Sequence, residues 1–116
     1  MQLDKDPAYL LDIFQAAQLI LEFSKDINRE AFDKDVMRQD AIVRRIEIIG
    51  EASKRLSGAF KSGHPEIPWK LMAGMRDVVI HNYDRVDLDE VWKVIHDNIP
   101  MLIKQIGPMI PPEDEI

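Results

Sequence analysis

Apolar residues recur along this chain at helical spacing, and no segment alternates with the period of two that a half-buried strand requires. Leu10, Ile13, Phe14, Ala17, Ile20 and Leu21 form one stripe, opened by Asp6 as N-cap with Pro7 at the first helical position and ending near Ser24. The polar stretch from Lys25 to Lys34 reads as a connector. A second helix is expected from about Asp35 to Phe60, with Ile42, Ile46, Ile49, Ser53, Leu56 and Phe60 inward. Ser62, Gly63 and Pro65 break the pattern, and Pro68 restarts it.

The third helix is expected over Trp69 to Asn82, with Leu71, Met75, Val78 and Val79 buried. A turn through Asp84 to Asp87 leads to a fourth, Leu88 to Gln105, whose seam is Val91, Ile95, Asn98, Leu102 and Ile106. Pro100 lies inside it, lacking the N–H that would bond His96, so a kink is expected there. The pattern predicts an all-α fold, an antiparallel up-and-down four-helix bundle, in one domain over residues 1–110. The Pro-rich, acidic residues 111–116 read as a flexible tail.

Composition narrows the chemistry. At 116 residues, 46% hydrophobic and 31% charged, the chain suits a single helical domain. It has no cysteine, which excludes a disulfide framework, a thiolate metal site and a cysteine nucleophile, and fits a reducing compartment. The start lacks the basic and apolar regions of a secretory signal, and no apolar run approaches membrane-spanning length, so a cytoplasmic location without membrane contact is expected. Net charge is −6, which disfavours nucleic-acid binding through a globally basic surface. Residues 34–61 nevertheless hold seven Lys/Arg against four Asp/Glu, with Arg38, Arg45 and Arg55 off the apolar stripe. That strip reads as a solvated face or as a surface for RNA or a protein partner.

The candidate chemistry is concentrated in "GMRDVVIHNYD", residues 74–84. Arginine offers phosphate a fork of donors, and histidine exchanges a proton near neutrality. On a straight helix Asp77 and His81, four apart, would share a face, as would Arg76 and Tyr83, seven apart, whereas Arg76 and His81 would diverge by about 140°. A joint site then needs either a helix end near His81 or a second copy of the helix, as a two-fold dimer provides. With no Ser or Cys nucleophile and no metal cluster in the stretch, a nuclease built on it would use the 2′-hydroxyl of RNA and leave a 2′,3′-cyclic phosphate. Spacing alone equally allows ordinary surface charges and a structural histidine. His64, before a proline, reads as a turn residue, His96 as a partner for a carbonyl freed by Pro100, and Trp69 and Trp92 as packing anchors.

The run "RDVVIHNY" fits R-x4-H-x-Y, and with "IEIIGEASKRLS", "HPEIPWKLMAGMRD" and "NYDRVDLDEVWKVIHDNIP" the chain resembles the HepT toxins of the HEPN ribonuclease superfamily over about residues 7–106. The resemblance implies a metal-independent endoribonuclease toxin that works as a homodimer without cofactor. Arg76 and His81 are then catalytic, and Asp77 is, by its spacing of one helical turn, the residue expected to support His81 by fixing its tautomer. Tyr83 becomes the residue to which an MNT-type nucleotidyltransferase antitoxin transfers AMP. The alternative is a catalytically silent HEPN module that serves such a transferase as substrate or scaffold.

Overall fold

The computed structural model describes residues 4–81 and 85–112. Helices dominate: α1 (Asp6–Ser24), α2 (Arg29–Lys34), α3 (Val36–Arg55), α4 (Gly58–Gly63), α5 (Trp69–Ala73), α6 (Met75–Val79), α7 (Leu88–Lys93) and α8 (Ile99–Ile106). A π turn, Val94–Asn98, joins α7 to α8, and a 3-10 turn, Gly107–Met109, follows. Between α6 and α7, β1 (Ile80–His81) pairs antiparallel with β2 (Arg85–Val86). That two-residue ribbon is the departure from an all-helical reading. Among the described residues no helix is long and apolar enough to cross a membrane.

The core is the meeting of three apolar stripes. Leu10, Ile13, Ala17 and Ile20 of α1 face Ile42, Ile46, Ile49 and Ser53 of α3, the most extensive helix pair, and α8 closes on α1 with Leu102 and Ile106. Buried Ser53 satisfies its hydroxyl by donating to the Ile49 carbonyl at 2.7 Å. The expected stripes of the first two helices are therefore the buried ones, with Phe14, Leu21 and Phe60 at their margins.

Local chemistry moves several expected boundaries. The second helix stops at Arg55 instead of reaching Phe60. Ser57 opens α4 by accepting the Phe60 N–H at 3.1 Å, while its own N–H and hydroxyl donate to Asp6 at 2.9 and 2.6 Å. Asp6 is thus the first residue of α1, and its carboxylate serves the far end of α3 rather than capping its own helix. The same bonds place the start of α1 beside the end of α3, so the two run in opposite directions.

The expected connector contains α2, capped by Asn28, whose side chain accepts the Ala31 N–H at 2.8 Å. One and a half turns are too short to register as a period, yet α2 delivers fully buried Phe32 against Trp92, ring centroids 5.3 Å apart. The fourth segment stays in helical conformation past Pro100 by widening ahead of it: the Ile99 N–H reaches back to Val94 across the π turn. The extra residue shifts the seam, so Ile99 is buried where Asn98 was expected.

The third helix is interrupted at Gly74 and ends at Val79, short of Asn82. The break changes the inward face: Met72, Met75 and Val79 are buried, while Leu71 and Val78, expected inside, are 51% and 46% exposed. Both short helices pack on α3, and α5 approaches it closely at Gly50. A β-carbon there would stand 3.4 Å from the Ala73 carbonyl oxygen and 3.6 Å from that of Met72. Ala fits that space at contact distance and gains helix propensity, whereas a branched side chain must push α5 away. Gly50→Ala should therefore melt within a few degrees of the parent, and Gly50→Leu should lose about 1–3 kcal/mol or more in denaturant titration, the cost of overpacking. Equal stability of the two variants would show that the approach of α5 to α3 is not tight.

Candidate active site

Three consecutive β-branched residues, Val78, Val79 and Ile80, crowd a helix and favour extended backbone. The chain follows that preference: Ile80 is extended, with φ −118° and ψ 118°. The Asp87 N–H donates to the Val79 carbonyl at 2.8 Å and holds the returning strand against the helix end. In the ribbon Ile80 stands opposite Val86, half-buried against the core, and His81 stands opposite Arg85, both exposed.

Asp87 then acts twice. One carboxylate oxygen accepts the Glu90 N–H at 3.2 Å and caps α7; the other lies 3.3 Å from His81 Nε2. The Glu90 N–H foremost holds the Asp87 carboxyl below its ordinary 3.8; desolvation opposes it, and His81 adds a further lowering. An ionised carboxylate only accepts, so Nε2 carries the shared proton and Nδ1 of a neutral imidazole is left as the basic nitrogen. His81 and Asp87 open onto a shallow groove of about 420 Å³, whose other lining, among the described residues, is Arg29, Arg85, Val86, Leu88 and Asp89. Arg29 is fixed in its wall by Asp33 at 2.7 Å and Asp89 at 2.6 Å, with its guanidinium 6.0 Å from the Trp92 ring centroid.

Arg76 sits on α6 outside that lining. Its Nε is 3.4 Å from Glu47 of α3, and a terminal nitrogen is 3.6 Å from Asp77. The carboxylate beside His81 is therefore that of Asp87, while Asp77 accompanies Arg76. A helix ending at Val79 removes the straight-helix geometry: the 140° divergence of Arg76 and His81 no longer applies, and a helix end near His81 is present within a single chain. It equally removes the shared helical face of Arg76 and Tyr83, and Tyr83 itself lies outside the described residues. The geometric case for a dimer loses its force with them.

Other candidates have structural partners. His64 stacks on Phe60, approaches Glu66 at 3.6 Å and offers its carbonyl to the Trp69 indole at 2.9 Å. His96 donates from Nδ1 to the Trp92 carbonyl at 2.9 Å, inside the π turn. Trp69 and Trp92 pack against Phe60 and Phe32. On the basic helix, Arg38 pairs with Asp35, Arg55 borders an open depression with Tyr9 and Ser57, and Arg45 has a buried Nε without a hydrogen-bond partner. Among the described residues no group of three or more His, Asp or Glu converges as a metal cage.

Asp87, Arg85 and Glu47 stand outside the motif that marks Arg76 and His81 in the sequence. Asp87 did carry a signal: Asp followed three residues later by Glu, ahead of an apolar run, is a helix start. Its second task depends on a strand pair two residues long, which leaves no periodic trace.

Comparison with known proteins follows the same lines. A family model described as "Ribonuclease HepT-like" matches residues 13–109. The chain is 50% identical to the "Probable ribonuclease HepT" of Thermococcus cleftensis over 94 residues, covering 81% of this chain and 86% of that protein. It is 37% identical to "Putative RNase MJ1380" of Methanocaldococcus jannaschii, covering 85% and 91% of the two chains, and 42% identical to "Putative RNase TTE0752" of Caldanaerobacter subterraneus subsp. tengcongensis, covering 90% and 94%. No solved structure matches at comparable significance.

The depressed Asp87 pKa has a definite consequence for stability. Because the folded state favours the ionised carboxylate, its contribution is complete above about 3.8, the ordinary value, and fades as pH falls through the lower folded value. Asp87→Asn preserves a capping side chain but not the charge. Thermal melts should show the parent above Asp87→Asn at pH 7, with the gap narrowing progressively as pH is lowered below about 3.8. A gap that does not change with pH would mean that the carboxylate's charge does not support the fold.

Proposed function

Because the chain belongs to the HepT-like ribonuclease family, we propose that it is a metal-independent endoribonuclease, the toxin of a toxin–antitoxin pair, acting on RNA in the cytoplasm. The observation that carries the reading is an exposed imidazole held by a carboxylate at 3.3 Å over a groove flanked by arginines. His81 takes the proton of the 2′-hydroxyl, the 2′-oxygen attacks phosphorus, and the bond to the 5′-oxygen breaks, leaving a 2′,3′-cyclic phosphate and a 5′-hydroxyl. Arg76 stabilises the charge of the pentacoordinate state, and Asp77 helps to orient it. Asp87 fixes the tautomer of His81.

In this reading residues 1–110 are one HEPN-like domain, an antiparallel four-helix bundle bent at Pro100, and residues 111–116 are its tail. It works as a homodimer, in which the second copy supplies another imidazole to protonate the leaving 5′-oxygen. Its partner is an MNT-type nucleotidyltransferase antitoxin that joins the AMP of ATP to the Tyr83 hydroxyl and releases pyrophosphate. Tyr83 is two residues from His81 in sequence, so the added phosphodiester would bring negative charge and bulk close to where the RNA phosphate must enter.

His81→Ala and Arg76→Ala should each lower RNA cleavage by about 10²-fold or more without unfolding the protein, with cleavage by the parent persisting in EDTA and failing on DNA. A parent that binds the transferase yet never cuts RNA would instead identify a silent partner module. Incubation with the cognate transferase, ATP and a divalent metal should add AMP mass to Tyr83 and silence cleavage, and Tyr83→Phe should resist. Peptide spectra placing AMP on another residue, or an active AMP-bearing protein, would overturn the switch.

A further inference from the structure

The groove beside His81 contains a guanidinium that the R-x4-H-x-Y motif leaves out. We propose that Arg85 is a substrate-binding residue of this site, gripping a backbone phosphate of the RNA adjacent to the bond that His81 addresses. The inference rests on the ribonuclease reading of the same groove and adds to it the residue that holds the strand there.

Register is the first argument. His81 and Arg85 are directly opposed in the ribbon, which sets their β-carbons about 4.5–5.5 Å apart on one face. The neighbouring pair, Ile80 and Val86, turns the other way and packs on the core, so the outward direction of His81 and Arg85 is fixed by burial as well as by pleat. Slippage by one residue would bury the imidazole and the guanidinium together.

Charge accounting is the second. Both acids lining the groove are engaged: Asp87 with the Glu90 N–H and His81, Asp89 with Arg29 at 2.6 Å. Arg29 is clamped between two carboxylates, so its charge is largely neutralised where it stands. Arg85 makes no ion pair or side-chain hydrogen bond with the described residues and is exposed. Of the two arginines in the described lining, it alone can offer a phosphate its full fork without first giving up a carboxylate. An acidic chain of net charge −6 gains little from long-range attraction for a polyanion. Retention of the strand then depends on such local contacts.

The test uses the full chain and two readouts. Binding is measured by fluorescence anisotropy with a single-stranded RNA carrying 2′-O-methyl groups, which lacks the attacking hydroxyl; cleavage is measured on the unmodified strand. Arg85→Gln should weaken binding and raise KM by about tenfold or more, with kcat changed only a few-fold. The slope of log affinity against log salt should fall by about 0.7, the share of one phosphate contact on a single strand. Arg85→Lys should retain part of both, and Lys104→Gln, an equal loss of charge at an exposed site outside the groove, should change neither. Wild-type affinity and salt slope in a folded Arg85→Gln protein, beside a parent that cleaves, would overturn the role of Arg85 alone. So would a fall in kcat at unchanged KM. A parent that neither binds nor cleaves RNA would remove the ribonuclease reading and this inference with it.

Discussion

Asp87 joins the parts of this molecule on which the site depends. Its N–H accompanies the last carbonyl of α6 at 2.8 Å, one carboxylate oxygen starts α7, and the other meets the imidazole at 3.3 Å. A single residue thereby fixes where a helix stops, how a ribbon turns back, where the next helix begins and which nitrogen of His81 carries the proton. Such a junction is economical because each bond restrains the same backbone, so the side chain facing His81 loses little further freedom on orienting it. It is also demanding, since a substitution there disturbs the fold and the site together.

The junction is held in turn by the way α5 and α6 lie against α3. Gly50 lets the Met72 and Ala73 carbonyls approach the helix backbone, and Met72, Met75 and Val79 fill the interface beneath. From the same helix Glu47 reaches Arg76 at 3.4 Å. That pair and the one with Asp77 are half exposed, a setting in which ion pairs contribute little to stability.

The sequence made the long elements legible and the short ones obscure, and the reason is physical. Periodicity averages over several turns, so the stripes of α1 and α3 were readable, down to Ser53 on the buried face. The six residues of α2, the break at Gly74 and the two-residue ribbon are decided by single caps and by tertiary bonds across long stretches of chain, such as Asp6 to Ser57. The site shares this division. His81 and Arg76 are visible as residue types in a motif, whereas the pairing of His81 with Asp87 follows from a helix that ends three residues earlier than its apolar pattern predicts. Val78, Val79 and Ile80 carried that information as a β-branched run, but the same residues also satisfy a helical stripe, and only the return of the chain through Arg85 and Val86 decides between the two.

That ambiguity is also what makes the arrangement chemically useful. Had the helix continued, the imidazole would have pointed away from Arg76 on a rigid cylinder, with Asp77 one turn behind it. Ending the helix exchanges that geometry for a pleated one, in which neighbours across the ribbon, not neighbours along a helix, share a face. A histidine then acquires a cross-strand arginine and a carboxylate from the following cap without any of the three being adjacent in sequence. The acids of the groove are bound by backbone or by Arg29, which limits their repulsion of an incoming anion. An overall acidic protein can in this way present a surface to a phosphate chain whose charge is set by which side chains are already engaged, and not by the sum over the chain.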